Sequence, residues 1–375
     1  MAKSSKYYDI TNLLSTKAQY LMLLGQRSNG KSYQVKETVL KDAYKYIKTE
    51  GKDGSRFIYL RRWVTDIKAK AVKAYFDDFT EFKDNKLAIS ILTKGEFIDI
   101  DAWNGFIYFV GIDEKGDRYR SNPIGRYCAL NEYERYKSQA FINYKNIVYE
   151  EFITDATYLN NEPTQLQQFC STVLRNEEGT VFLVGNTLSR VCPYFSEWCL
   201  DGVLKQKQGT IEIYHHHVKD VDGNDVVINI AVEYCANANI KNTMFFGQSA
   251  KQIVSGEWDT KEVPKLPRKL EDYERVYEVS IVYQSFKFIL DLLIEPEEGG
   301  VIVYIYPNTN DRKIDRILTE QFSDSPFISA RLDTSKRPEY LINECFRRGK
   351  VCYSDNLTGA DFGHVNEVFK IGKLI

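Results

Sequence analysis

The sequence contains no uninterrupted stretch of about 18 apolar residues, so nothing in it reads as a helix crossing a membrane. Its first residues, Met-Ala-Lys-Ser-Ser-Lys-Tyr-Tyr, lack the apolar centre of a secretory signal. Glycine and proline are sparse, 22 and 9 in 375 residues, which excludes collagen-like and low-complexity chains. The seven cysteines (Cys128, Cys170, Cys192, Cys199, Cys235, Cys345 and Cys352) are an odd number, and no two stand in C-x-x-C spacing. That argues against a zinc or redox site and fits a reduced, cytoplasmic compartment. There is also little net charge, 50 Lys/Arg against 52 Asp/Glu.

What is present points to a globular chain of about two domains. Apolar residues make up 43%, enough for a packed core. The near-neutral total hides an asymmetry: residues 1–86 hold 18 Lys/Arg against 10 Asp/Glu, so the remainder is acidic. The basic portion suits a polyanion, although a Lys-rich helix surface can equally be a solvated face.

Hydrophobic patterning gives the organisation. Tyr20–Leu24 reads as a buried strand, and residues 31–48 as an amphipathic helix closed by Gly51. A strand over 56–62 and a helix over 65–76 follow. Three β-rich runs near 87–93, 96–100 and 106–112 suggest a small antiparallel insertion. Strands over 146–152 and 180–185 flank a helix near 164–175. This alternation predicts an α/β domain over 1–233 with a mostly parallel sheet. Residues 234–272 read as a linker. Residues 273–375 read as a smaller α/β or α+β domain with helices near 311–321 and 338–348.

The chemistry starts at Gly25-Gln26-Arg27-Ser28-Asn29-Gly30-Lys31-Ser32, a full G-x-x-x-x-G-K-[ST] pattern between a strand and a helix. Glycines let the backbone wrap phosphates, and the helix N-terminus aims N–H groups at them. Lys31 reaches the β- and γ-phosphates, and Ser32 suits Mg2+. Such a loop needs a carboxylate at a neighbouring strand end. Glu150 takes that metal position, with Glu151 as general base for the attacking water. Asn186, after the next strand, is positioned to sense the γ-phosphate, though Gly-Asn-Thr is also a common turn. Arg175 ends a helix and is either a capping residue or an arginine finger serving the next subunit's ATP. Lys137 lies among aromatics in Asn131–Lys137, a pattern that grips nucleic acid and that an ordinary exposed helix shares. In His215-His216-His217 only the first and third residues share a strand face, and no third metal ligand is evident. Asp291 is the one notable acid of the second domain, too few for a two-metal nuclease.

Taken in order, GQRSNGKSY, FIYLRRW, NIVYEEFI, a helix ending VLRN, and VGNT followed by CPYF resemble the DNA-packaging (encapsidation) ATPases of small protein-primed tailed phages. The resemblance is good over about 18–200 and weaker beyond. It implies an additional-strand catalytic-glutamate (ASCE) P-loop ATPase domain, a linker and a degenerate RNase H-like nuclease domain. It implies ATP and Mg2+ as cofactors and double-stranded DNA as the moved substrate. It also implies a homo-oligomeric ring, expected to be pentameric, docked in the host cytoplasm on the portal of an empty head, with no membrane. A packaging RNA between ring and portal stays an open question. By the same resemblance Arg175 falls on the trans arginine finger and Lys137 among the DNA-translocating basic residues. Two departures accompany it: Glu150 stands where the family usually has Asp, and Val64 follows Arg-Arg-Trp where a basic residue is expected. The competing readings are a terminase-like enzyme with a live nuclease and a P-loop module that uses ATP only to switch DNA-binding partners.

Overall fold

The first part of the chain is framed by nine strands of one sheet and three of its helices. The computed structural model describes residues 8–80, 82–83, 86–154, 157–175, 177–219, 223–235, 262–284, 286–296, 299–308 and 314–373. In chain order the first part comprises β1 (Tyr20–Leu24), α1 (Lys31–Lys48), β2 (Arg56–Arg61), α2 (Ala69–Tyr75), β3 (Asp99–Trp103) and β4 (Phe106–Ile112). They are followed by β5 (Gly125–Ala129), β6 (Tyr144–Glu150), α3 (Glu162–Leu174), β7 (Thr180–Val184), β8 (Thr210–Lys219) and β9 (Asp225–Tyr234). Their sheet runs β8-β9-β1-β7-β6-β2-β5-β4-β3. The six strands from β9 to β5 are mutually parallel, and antiparallel strands extend both edges.

The continuous apolar runs follow from burial on both sheet faces. Leu21, Met22, Leu23 and Leu24 of β1 are all buried, each contributing about 1.5–3 kcal/mol. Helix α1 covers one face with Val35, Val39, Leu40 and Ala43 and leaves most of its lysines towards water. Register then sets the site. Val184 of β7 pairs with Leu23 of β1 on one side and with Glu150 of β6 on the other, and Leu60 of β2 pairs with Tyr149. The segments leaving these strands therefore emerge at one level, at the carboxyl edge where α/β sheets bind ligands.

Chain contacts divide the protein into two units, and the boundary differs from the expected one. Leu188–Ser196 groups with the second unit rather than the first. Val191 lies in the second unit's core, and Arg190 pairs with Asp361 at 3.3 Å. Most of the expected linker, residues 236–261, lies outside the described residues. Its end is not free chain: the Pro264 carbonyl accepts the Tyr353 N–H at 2.8 Å.

The second unit contains β10 (Glu274–Tyr283), β11 (Phe286–Ile294), β12 (Val301–Pro307), β13 (Arg316–Thr319), β14 (Ile328–Ser329), α4 (Arg337–Arg347), β15 (Val351–Tyr353) and α5 (Asn356–Phe369). The sheet order is β14-β13-β10-β11-β12-β15. Strands β10 to β12 are antiparallel; β13 runs parallel to β10 and β15 parallel to β12. Ile342, Phe362 and Val365 of the two helices pack into its apolar core.

Two expected elements change type. The run near 87–93 is mostly helix, Ala88–Leu92, with Ala88 and Ile89 buried. A short apolar run fits a buried helix turn as well as a strand, and only packing decides. The helix expected near 311–321 is instead strand β13 where described, and residues 311–313 lie outside the description. Its Ile317 and Leu318 pair with Ser280 and Ile281, so sheet pairing overrides local helical preference.

Candidate active site

Positive φ at Gly25 (147°), Ser28 (62°) and Gly30 (99°) bends the loop after β1. Gly25 is also crowded: a Cβ there would stand 3.3 Å from the Cys235 carbonyl oxygen. Gly30 is the left-handed residue that starts α1. The loop closes on Lys31, which is only 4% exposed. Its Nζ donates to the carbonyls of Gln26 (2.6 Å) and Gly25 (3.2 Å), to Asn29 Oδ1 (3.2 Å) and to Asn186 Oδ1 (3.4 Å). Burial lowers its pKa to about 8. Asn29 Nδ2 and Gln26 Oε1 are buried without hydrogen-bond partners. A bound phosphate would supply the acceptor that Asn29 Nδ2 needs. Arg27 and Ser28 are exposed at the loop tip.

Glu150, the last residue of β6, is 6% exposed. Ser32 Oγ donates to its Oε2 at 3.2 Å, and Tyr75 OH donates to its Oε1 at 2.6 Å. Burial pushes its carboxyl above the usual carboxylate range, and these two hydroxyls pull it back. These side chains form one site built of two hydrogen-bonded pairs, Lys31 with Asn186 and Ser32 with Glu150, which meet at the neighbouring residues 31 and 32. Its oxygen donors fit Mg2+, which takes one or two protein groups and leaves the rest to phosphate and water. A buried carboxylate bonded only by neutral hydroxyls also accommodates added positive charge. Among the described residues, no three or more His, Cys, Asp or Glu side chains gather as a protein-only metal cage.

Glu151 differs from its neighbour. It lies just past the strand at φ 57°, with a largely exposed side chain whose Oε2 accepts from Arg61 Nη2 at 2.6 Å. A left-handed non-glycine residue is strained and has to be held. Arg62 does so: its Nη1 reaches the Glu151 carbonyl (3.2 Å) and its Nη2 the Phe152 carbonyl (2.7 Å). Arg62 is anchored in turn by Glu162, Nε to Oε2 at 2.7 Å, where Tyr149 OH also donates to Oε1 at 2.7 Å. Arg62→Met would leave the fully buried Glu162 carboxylate without its cation, and breaking such a pair costs about 3–5 kcal/mol. Urea denaturation should read that loss. A change below about 1 kcal/mol would reduce the pair to the worth of a surface bridge.

The other sequence candidates make their contacts elsewhere. Arg175 follows α3 with φ 43°, is exposed, and donates from Nη2 to the Gln139 carbonyl at 2.6 Å. Lys137 is exposed, pairs with Glu134 at 2.7 Å and sits 5.0 Å over the Tyr133 ring. His215 Nδ1 lies 2.6 Å from Asn229 Oδ1 on the β8–β9 hairpin. In the second unit Asp291 is bonded by Arg275 Nε (2.9 Å) and Tyr306 OH (3.0 Å), and Arg275 also pairs with Glu278 at 3.2 Å. Sequence reading singled out neither Tyr75 nor Glu162. Arg62 entered only as the last residue of the strand read over 56–62.

Comparison with known proteins follows this geometry. The family model described as Podovirus DNA encapsidation protein (Gp16) matches residues 1–221. The DNA packaging proteins of Bacillus phage PZA and Bacillus phage phi29 are each 30% identical over 196 residues, 51% of this chain and 49% of theirs. The chain therefore matches about half the length of these curated relatives. A chain of the solved bacteriophage Phi-29 viral genome packaging motor assembly shares the fold at a TM-score of 0.56 and 20% identity, covering 98% of this chain and 100% of that one.

Proposed function

The chain belongs to the podovirus DNA encapsidation protein family, and on that footing we propose that it is a packaging motor that hydrolyses ATP to drive double-stranded DNA into a preformed phage head. The observation that carries the reading is the grouping of buried Lys31 and Glu150 with their partners Asn186 and Ser32 at the carboxyl edge of a parallel sheet. The placement of β7 between β1 and β6 supports the additional-strand class. In that reading the loop 25–32 and the start of α1 cradle the phosphates, with Lys31 neutralising charge that develops during transfer. Ser32 and Glu150 would hold Mg2+, which supplies positive charge to the β- and γ-phosphates. Glu151 polarises the attacking water, and Asn186 contacts the terminal phosphate. Lys137 and the basic residues of 1–86 meet DNA phosphates.

The same proposal has subunits forming a ring, expected to be pentameric, on the portal of the head in the host cytoplasm, with or without a packaging RNA. Among the described residues, no helix is long and apolar enough to cross a membrane. Three antiparallel strands followed by parallel additions support an RNase H-like second domain. The bridge from Arg275 to both Glu278 and Asp291 favours a non-cleaving one, because it holds an internal cation between the two acids.

The test is DNA-stimulated ATP turnover by the parent chain and by Lys31→Ala. Losing one preorganised donor to a developing oxyanion costs about 10²–10³-fold, and turnover should fall at least that far. A near-normal rate would sink the assignment. A second readout follows from the lysine's pKa of about 8. Arriving phosphate charge raises it, so the parent should take up protons on binding ATP near pH 8. Calorimetry in buffers of different ionisation enthalpy reads the uptake, which Lys31→Ala should lose.

A further inference from the structure

We propose that Tyr75 is a positioning residue of the active site, its hydroxyl holding the Glu150 carboxylate in the orientation that meets Ser32. The inference rests on the reading of this site as one that binds nucleotide with Mg2+. Each carboxylate oxygen of Glu150 takes one hydroxyl, Oε1 from Tyr75 at 2.6 Å and Oε2 from Ser32 at 3.2 Å. A carboxylate held at both oxygens cannot rotate about its last torsion without breaking one bond. The shorter bond is the one to Tyr75.

Tyr75 is itself fixed. Its ring stacks on Tyr59 of β2, centroids 4.4 Å apart and planes 27° from parallel. Its carbonyl accepts from Lys36 Nζ at 2.7 Å, and the same ammonium lies 4.5 Å over its ring. Lys36 is only 5% exposed and is neutralised by Asp78 at 2.6 Å. Lys36 stands one helical turn after Ser32 on α1. The phosphate-loop helix therefore reaches Glu150 twice, directly through Ser32 and indirectly through Lys36 and Tyr75. The circuit closes around the carboxylate and ties α2, which carries no catalytic group, to the site. A buried tyrosine that merely needs an acceptor would make the same bond, so the test has to read the metal and not only the fold.

In the full chain, Tyr75→Phe keeps the ring and removes the bond. Groups that orient a metal ligand typically contribute 10–100-fold to metal affinity. The Mg2+ concentration for half-maximal enhancement of nucleotide binding should rise about 10-fold. Nucleotide binding in EDTA should stay unchanged, and kcat should return to near the parent value at saturating Mg2+. Lys36→Met, which leaves the hydroxyl but removes its anchor, should shift the Mg2+ requirement the same way by less. A Tyr75→Phe chain with the parent's Mg2+ requirement would overturn the inference, as would loss confined to thermal stability or spread equally over Mg2+ and EDTA binding. If the parent chain itself showed no Mg2+-dependent nucleotide binding, the reading of the site would fall instead.

Discussion

Glu151→Gln is expected to bind ATP about as well as the parent and to hydrolyse it about 10²–10⁴-fold more slowly, the usual contribution of a positioned general base. The two adjacent acids differ in every respect that bears on this. Glu150 is buried, bonded by hydroxyls and level with Ser32, an arrangement suited to holding a cation. Glu151 is beyond the strand, exposed and strained, with its backbone pinned by Arg62 and its carboxylate on Arg61. The Glu151 carboxylate is open to solvent, where a water can approach it, whereas Glu150 is enclosed. In the conformation described, Arg61 occupies one of the two Glu151 carboxylate oxygens, Oε2. Single-turnover hydrolysis, set beside equilibrium nucleotide binding, separates the two acids. Glu150→Gln should raise the Mg2+ requirement, and Glu151→Gln should slow the chemistry at any Mg2+ concentration. The opposite pattern would mean that the roles are exchanged.

The parts of this site that were legible in the sequence are those whose physics is local. The loop 25–32 is contiguous, and its glycines are dictated by its own backbone angles. Glu150, Glu151 and Asn186 were found because strand ends can be read from apolar runs, and parallel register brings strand ends together. The supporting residues could not be read this way. Tyr75 meets Glu150 across 75 positions and Arg62 meets Glu162 across 100, distances at which no periodicity carries information. Lys36 looked like one more solvated lysine on a basic helix, yet it is buried beneath Tyr75 and Asp78.

The fold shows the same division. Alternating strands and helices indicated the parallel sheet, but not that β8 and β9 would extend it beyond β1. Ala88–Leu92 and Arg316–Thr319 changed type because short apolar runs take whichever form their neighbours pair with. Residues 188–196 look like an ordinary continuation of the first domain. Val191 and Arg190 belong instead to a core and an ion pair whose other members lie more than 80 residues away.

The largest expected effect concerns Arg175. Within one subunit its guanidinium makes an exposed hydrogen bond to the Gln139 carbonyl, while its backbone N–H caps α3 on Ser171. The guanidinium is therefore not capping its own helix. An exposed bond of this kind is worth about 0.5–1.5 kcal/mol, so little holds the side chain back. An arginine finger contributes about 10³–10⁵-fold in rate, equivalent to about 4–7 kcal/mol, and that difference decides which use would dominate in a ring. Arg175→Ala should leave nucleotide affinity nearly intact and remove the acceleration that appears on ring assembly with DNA. Mixing Arg175→Ala with Glu151→Gln subunits is the decisive form. Where an Arg175→Ala subunit receives the arginine of a Glu151→Gln neighbour, the interface holds an intact Glu151 and an intact Arg175, so partial activity should return. If Arg175 acted within its own subunit, each mixed site would still lack one of the two groups and mixing would restore nothing. Well-formed mixed rings that stay inactive would therefore remove the trans assignment and leave Arg175 as a latch on the segment that follows Lys137.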